Sequence, residues 1–323
     1  MPEERRTRIA GISQKAWRML DKLTSSLAEL SPPVALDGYA RTLGVHSILF
    51  KPILSDAGLA KDDTGFQIII NADAVGEYPS GTRLSATDGT WAKLDPKLRF
   101  RIAHELAHIV FLAAAEQDKQ SEVFVKNEKA VENACNILAR IFLLPSRALV
   151  QEIGTELFNV EHIRSAISVF QVAPEVFIRR LNVSDMRQHF GEKRGILAFL
   201  KESITGQLIV KACHIWGSFA QQRFETALRK PDDKSRDAHM SLSEEFRQAT
   251  WALEGKPIND MRLNRTVEIE KLIRTPKSGG QDIHVDWSSE RILPCKLASC
   301  QLLGSPRSYL TSLEVTEPLL MRA

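Results

Sequence analysis

The segment Arg99-Phe100-Arg101-Ile102-Ala103-His104-Glu105-Leu106-Ala107-His108 constrains this chain more than any other. It contains no Gly or Pro and is made of good helix formers, so it predicts a helix. On that helix His104 and His108 are one turn apart and project from the same face. Two imidazoles so spaced can grip one zinc ion. Glu105 then lies beside the open coordination position, placed to take a proton from bound water. The plain alternative for this spelling is a solvated, charged patch on a helix surface. The neighbours argue against it. Phe100, Ile102, Ala103, Leu106, Ala107, Ile109, Val110, Phe111 and Leu112 make the helix apolar nearly all round, so it reads as buried. Two histidines and a glutamate on a buried helix need partners, and one metal ion satisfies all three.

A catalytic zinc site usually has three protein ligands plus water, so a third ligand is expected further along the chain. After a polar stretch (Glu116 to Lys126), a second helix is predicted from Asn127 to Leu144, stopped by Pro145. Glu128 and Glu132 share one face of it, and either can supply the ligand, although two glutamates four apart also describe an ordinary solvated face. Cys135 is a further candidate, but a lone Cys among apolar neighbours is more often a small core residue.

The paired segments Arg-Phe-Arg-Ile-Ala-His-Glu-Leu-Ala-His and Glu132-Asn133-Ala134-Cys135-Asn136-Ile137-Leu138-Ala139, followed by Leu143-Leu144-Pro145, resemble the ImmA/IrrE family of bacterial zinc metallopeptidases. That family shows an R-x-F-x-x-A-H-E-x-x-H helix and then an E-x-x-A-N-x-F-A-x-x-L-L-x-P helix. Here Arg99 adjoins Phe100, Cys135 stands in place of Ala, and Leu138 in place of Phe. Asn136 and Pro145 fall in register, which sets Glu132 on the family's third-ligand position. The resemblance covers about residues 30 to 185. It implies an α+β, zincin-like metallopeptidase domain in which His104, His108 and Glu132 hold Zn2+ and Glu105 is the catalytic base. It also implies a bacterial, cytoplasmic setting tied to stress responses or mobile elements, with a protein substrate such as a helix-turn-helix repressor.

Around this core the chain reads as follows. Residues 1 to 30 form an N-terminal helix, with apolar positions at helical spacing (Ile9, Ile12, Trp17, Leu20, Leu23, Leu27, Leu30) ending at Ser31-Pro32-Pro33. The metallopeptidase core runs from 31 to 145. It includes a short helix (Leu36 to Leu43), extended Val45 to Phe50, a polar turn from Ser55 to Gly65 and a strand over Phe66 to Asn71. A loop from Tyr78 to Asp95 leads to Pro96. Residues 146 to 190 form a helical extension whose segments Val160 to Phe170 and Glu175 to Val183 look like a helix-turn-helix. Few exposed basic residues (Arg179, Arg180, Arg187, Lys193, Arg194) are available to read DNA, so a packing role is the stronger reading and DNA binding the weaker. His162 is expected to cap or pack.

Gly191-Glu192-Lys193-Arg194-Gly195 marks the next boundary, and 191 to 323 read as a C-terminal mixed α/β domain. A hairpin is expected from Gly195 to Lys201 and Gln207 to Trp216, turning at Thr205-Gly206. Further features expected are a helix at Phe219 to Leu228, an exposed loop at Lys230 to Arg236, a capping box at Ser241 and Glu244, and strands near Asp282 to Trp287. A sensory module of GAF type, as some relatives carry, or a substrate-docking or oligomerisation module suits this domain. Cys295 and Cys300 read as reduced core thiols.

Composition narrows the rest. The 323 residues exceed one ordinary domain, and a net charge of +3 gives no sign of a general nucleic-acid or membrane binder. The polar N-terminus lacks the apolar core of a signal peptide, and no apolar run is long enough to span a bilayer, so the cytoplasm is the expected location. Two functions remain: a zinc metalloendopeptidase of narrow specificity, or a non-catalytic regulator that uses a peptidase-like domain to bind protein or DNA. Glu105 favours the first, because a structural zinc site has no need of it.

Overall fold

Asp95 and Pro96 start the helix that carries the two histidines. The Asp95 carboxylate accepts the backbone N–H of Lys97 at 2.8 Å and of Leu98 at 3.2 Å. Pro96 fills the first helical position, where a missing N–H costs nothing. The computed structural model describes residues 3–26, 31–117, 128–154, 159–183, 186, 195–206, 208–216, 281–288, 291–302 and 307–315. Residues 191–194 of the expected boundary, the helix expected at Phe219 to Leu228, the loop Lys230 to Arg236 and the capping box at Ser241 lie outside them. The chain divides into two units, Met1–Leu149 with Ser168–Ala173, and Val150–Ile167 with Pro174–Ala323. Both helices and sheet strands are present in each, a mixed α+β architecture.

In the first unit the elements run α1 (Glu3–Ser26), α2 (Leu36–Thr42), β1 (Val45–Lys51), β2 (Ala57–Asp62), β3 (Gly65–Asn71), α3 (Ala72–Val75), β4 (Arg83–Ser85), α4 (Pro96–Gln117) and α5 (Glu128–Leu143). The sheet order is β2-β3-β1-β4, with β1 and β3 parallel and both outer strands antiparallel to their neighbours. The expected polar turn from Ser55 to Gly65 is therefore corrected: most of it is the edge strand β2. Its Ala-Gly-Leu-Ala-Lys-Asp sequence has little intrinsic strand preference, and pairing with the Ile-rich β3 supplies what propensity does not. Likewise the loop before Pro96 contains β4 and a single 3-10 turn, Trp91–Lys93.

The β2–β3 turn depends on one glycine. Gly65 has φ +137, and a Cβ there would lie 2.3 Å from the carbonyl oxygen of Gly44. That oxygen accepts the N–H of Phe66 at 2.8 Å, so β3 begins against the end of α2 with no room for a side chain.

α4 is the central helix of this unit. It packs on α1, α2, α5 and β2. Leu98, Ile102, Ala103, Leu106, Ala107, Ile109, Val110, Phe111, Ala114 and Ala115 are all buried, as the apolar sequence requires. Ile12, Ala16 and Leu20, four apart on α1, are fully buried in the same core. Arg99 is also fully buried. Its guanidinium donates to the carbonyls of Trp91 (3.2 Å), Ala92 (3.2 Å) and Val34 (3.0 Å), tying two loop segments to α4. Burial lowers its pKa to about 10, with Asp37 opposing, so it stays charged at neutral pH.

The second unit holds the second half of α6 (Ser146–Ile153), most of α7 (Val160–Phe170), all of α8 (Pro174–Leu181), and an antiparallel sheet in the order β6-β5-β9-β8-β7. Its strands are β5 (Gly195–Glu202), β6 (Leu208–Trp216), β7 (Gln281–Ser288), β8 (Arg291–Gln301) and β9 (Ser308–Val315). The expected hairpin is β5–β6, with Gly206 at φ +82 in its turn. Pairing skips Lys211, a register shift between Phe199 and Leu200 of β5. The second helix of the helix-turn-helix-like pair, α8, packs on β5 and β6. Its Phe177, Ile178, Arg180 and Leu181 are buried, and Asn182 just beyond it donates to the Cys213 carbonyl at 3.0 Å. His162 bonds the Glu152 carbonyl at 2.7 Å, and Cys300 is a buried thiol with its pKa pushed up to about 12, chiefly by burial. No helix among the described residues is long and apolar enough to cross a membrane.

Arg99→Met should lower stability by about 3 kcal/mol or more, because three carbonyls in a dry interior lose a charged donor. Urea unfolding of the metal-free protein measures this, and a loss under about 1 kcal/mol would show that Arg99 is dispensable.

Candidate metal site

α4 and α5 pack against each other, and the site lies between them. Just over half of the residues of α4 are buried, and His104 and His108 fall on the strip left partly open, with side chains 15% and 19% exposed. α5 buries Val131, Ala134, Cys135, Leu138 and Phe142 at helical spacing, which brings Glu132 and Asn136 to the edge of that buried face.

The side chains of these three residues converge. Nε2 of His104 and Nε2 of His108 lie 3.1 Å apart. Glu132 spans them, with Oε2 3.0 Å from His104 Nε2 and Oε1 3.2 Å from His108 Nε2. Among the described residues this is the one group of three or more His, Cys, Asp or Glu side chains able to hold a metal, all ligand atoms within 4.8 Å of one another. Of the alternatives raised by the sequence, Cys135 is not part of the group. Its Sγ lies 3.4 Å from Nδ1 of His108, on the far side of that ring. The side chain of Glu128 lies outside the described residues.

Hydrogen bonding tests whether these atoms suit a cation. Nδ1 of His104 is 3.1 Å from Oδ1 of Asn136. An amide oxygen only accepts, so His104 carries its proton on Nδ1 and presents a lone pair at Nε2. That lone pair faces a carboxylate and a second imidazole at about hydrogen-bond distance, an arrangement that calls for a cation or a shared proton between them. Two neutral imidazole nitrogens and a carboxylate are suitable donors for a divalent metal. Asn136 escaped the sequence reading as a functional residue, although its place four residues after Glu132, on the same helix face, is the signal that could have found it.

The electrostatics follow from burial. Glu105 is 7% exposed. Its pKa is pushed up to about 7, first by burial and then by the charge of Glu132. Burial also lowers the pKa of His108, helped by His104 and opposed by Glu132. The Cys135 thiol is held far above its ordinary range by burial and by the two glutamates. The site thus combines a His108 ring biased towards its neutral form with a Glu105 carboxyl that is harder to ionise than one in solvent.

Residues 95–182 match the family model described as Peptidase_M78, IrrE N-terminal-like domain. The match begins at the cap of α4 and takes in all of α5, so the resemblance to the ImmA/IrrE family holds over this segment. No curated protein matches the chain. Among solved structures, a Mycobacterium tuberculosis transcriptional regulator aligns with a TM-score of 0.39 and 12% identity, over 94% of this chain and 75% of its own.

Two outcomes follow. Asn136→Ala should weaken metal binding by about 10- to 100-fold, read by competition with a chelator; unchanged affinity would deny Asn136 an orienting role. The second concerns the metal-free protein. Between the ordinary Glu value of 4.5 and about 7, the native state binds more protons at Glu105 than the unfolded state does. Stability therefore falls as pH rises through this window. Glu105→Gln has no such proton, so with chelator present it should gain about 2–3 kcal/mol over wild type on going from pH about 4 to about 8. Parallel unfolding curves at both pH values would contradict a raised carboxyl pKa.

Proposed function

We propose that this chain is a zinc-dependent endopeptidase of narrow specificity, hydrolysing a peptide bond in a cytoplasmic protein such as a helix-turn-helix repressor or another regulator. The observation that carries this reading is the convergence of His104, His108 and Glu132 with Glu105 next to the first of them in sequence. Ligand atoms each about 2.0–2.1 Å from a tetrahedral zinc stand about 3.3 Å apart. The separations of 3.0, 3.1 and 3.2 Å between these side chains are close to that span. The match of residues 95–182 to a peptidase family supports the same chemistry.

In this reading His104, His108 and Glu132 would hold the ion. Bound zinc supplies Lewis acidity, drawing the pKa of a water towards neutrality and polarising a carbonyl. Glu105 manages the protons. Its carboxylate takes one from the attacking water and delivers it to the amine nitrogen as the C–N bond breaks. In the metal-free chain burial raises the pKa of this carboxyl, the direction that makes its carboxylate a stronger base. Asn136 holds the His104 ring in its ligating tautomer. Residues 191 to 323 select the substrate in this scheme.

Metal analysis and two variants test it. Wild type should hold about one zinc per chain, and Glu132→Ala should lose it. Glu105→Gln should keep the zinc and abolish the cellular effect of the protein. Survival of that effect would make the chain a binding protein, and absence of metal from wild type supplied with zinc would sink the peptidase reading.

A further inference from the structure

Helix α5 presents Glu132, Cys135 and Asn136 at positions i, i+3 and i+4, one surface of a helix. Two of these three touch the far nitrogens of the histidine rings. Asn136 meets Nδ1 of His104 at 3.1 Å and Cys135 meets Nδ1 of His108 at 3.4 Å. The two partners differ in kind. The amide oxygen only accepts, whereas a thiol can donate through S–H or accept at sulfur.

That difference matters because of what His108 faces. Its Nε2 is 3.2 Å from Oε1 of Glu132 and 3.1 Å from Nε2 of His104, both of them lone-pair atoms. Without a metal, the repulsion around His108 is relieved when its Nε2 carries the proton and Nδ1 accepts the thiol S–H. To ligate a metal, the same ring must give its Nε2 lone pair to the ion and carry its proton on Nδ1. An acceptor fixed beside Nδ1 would serve only the second state.

We propose that Cys135 is a positioning residue for the metal site, its thiol donating to Nδ1 of His108 in the metal-free protein and accepting Nδ1–H when metal is bound. One proton leaves Nε2 to solvent and one reaches Nδ1 from solvent. The S–H bond turns about Cβ–Sγ, and neither the ring nor the thiol changes charge. This rests on the reading of His104, His108 and Glu132 as metal ligands.

The test uses the full chain with histidine labelled by 15N, metal-free and zinc-loaded, in wild type, Cys135→Ala and Cys135→Ser. Nitrogen shifts in wild type should report Nε2–H for His108 without metal and Nδ1–H with zinc. Cys135→Ala should bind zinc about 10-fold more weakly. Cys135→Ser, whose hydroxyl also donates and accepts, should recover most of that loss. A role in packing alone would instead leave both variants equal. Equal zinc affinity in Cys135→Ala and wild type, or one His108 tautomer in both wild-type states, overturns the proposal while leaving the metal site standing. Failure of wild type to bind zinc removes the site itself, and the proposal with it.

Discussion

The packing of α4 against α5 is the constraint on which the candidate site depends. Neither helix holds a complete ligand set: α4 offers two imidazoles and α5 the carboxylate that bridges them. Their positions are fixed by ordinary apolar contacts on either side, Leu106, Ala107 and Val110 on one helix and Val131, Cys135 and Leu138 on the other being buried. The polar atoms are therefore brought together by burial that would be favourable without them. Their mutual repulsion is the cost that a bound cation relieves. In this sense the core makes the site, and the site is a small local strain on the core.

The same burial sets the proton chemistry. A carboxyl group placed next to a bridging glutamate and away from water is harder to ionise than one in solvent, and Glu105 has both conditions. The His108 ring is also biased by burial towards its neutral form. Exclusion of water thus favours the uncharged form of both groups. Asn136 and Cys135 each reach the ring nitrogen that points away from the centre.

Much of this was legible in the sequence, for reasons particular residues make plain. The spacing of His104 and His108 together with the apolar run around them specified a buried helix with a paired polar strip. Pro96 specified where it starts. The two apolar runs Gly195 to Lys201 and Gln207 to Trp216 around Thr205-Gly206 specified a hairpin, but not the register shift at Lys211. What could not be read depends on partners remote in the chain. β2 is a strand because β3 lies beside it, and nothing in Ala57–Asp62 announces that. Glu128 and Glu132 are equivalent on a helical wheel, and the spatial relation of Glu132 to the histidines, like the ring contacts of Asn136 and Cys135, appears only once the two helices are packed. Arg99 looked like one more charge at a helix start, and its three carbonyl partners come from 7, 8 and 65 residues away.

Arg99 also answers a question of angle. A helix that is apolar on nearly every side has no dominant stripe to decide which way it faces, and successive residues turn by about 100°. Rotation of α4 by one residue would still bury a hydrophobic surface, but would carry both imidazoles out of reach of Glu132. The guanidinium does not tolerate that freedom, since three fixed carbonyls accept its protons in one orientation only. A charge buried five residues before the first histidine thereby sets the rotational phase of the whole helix.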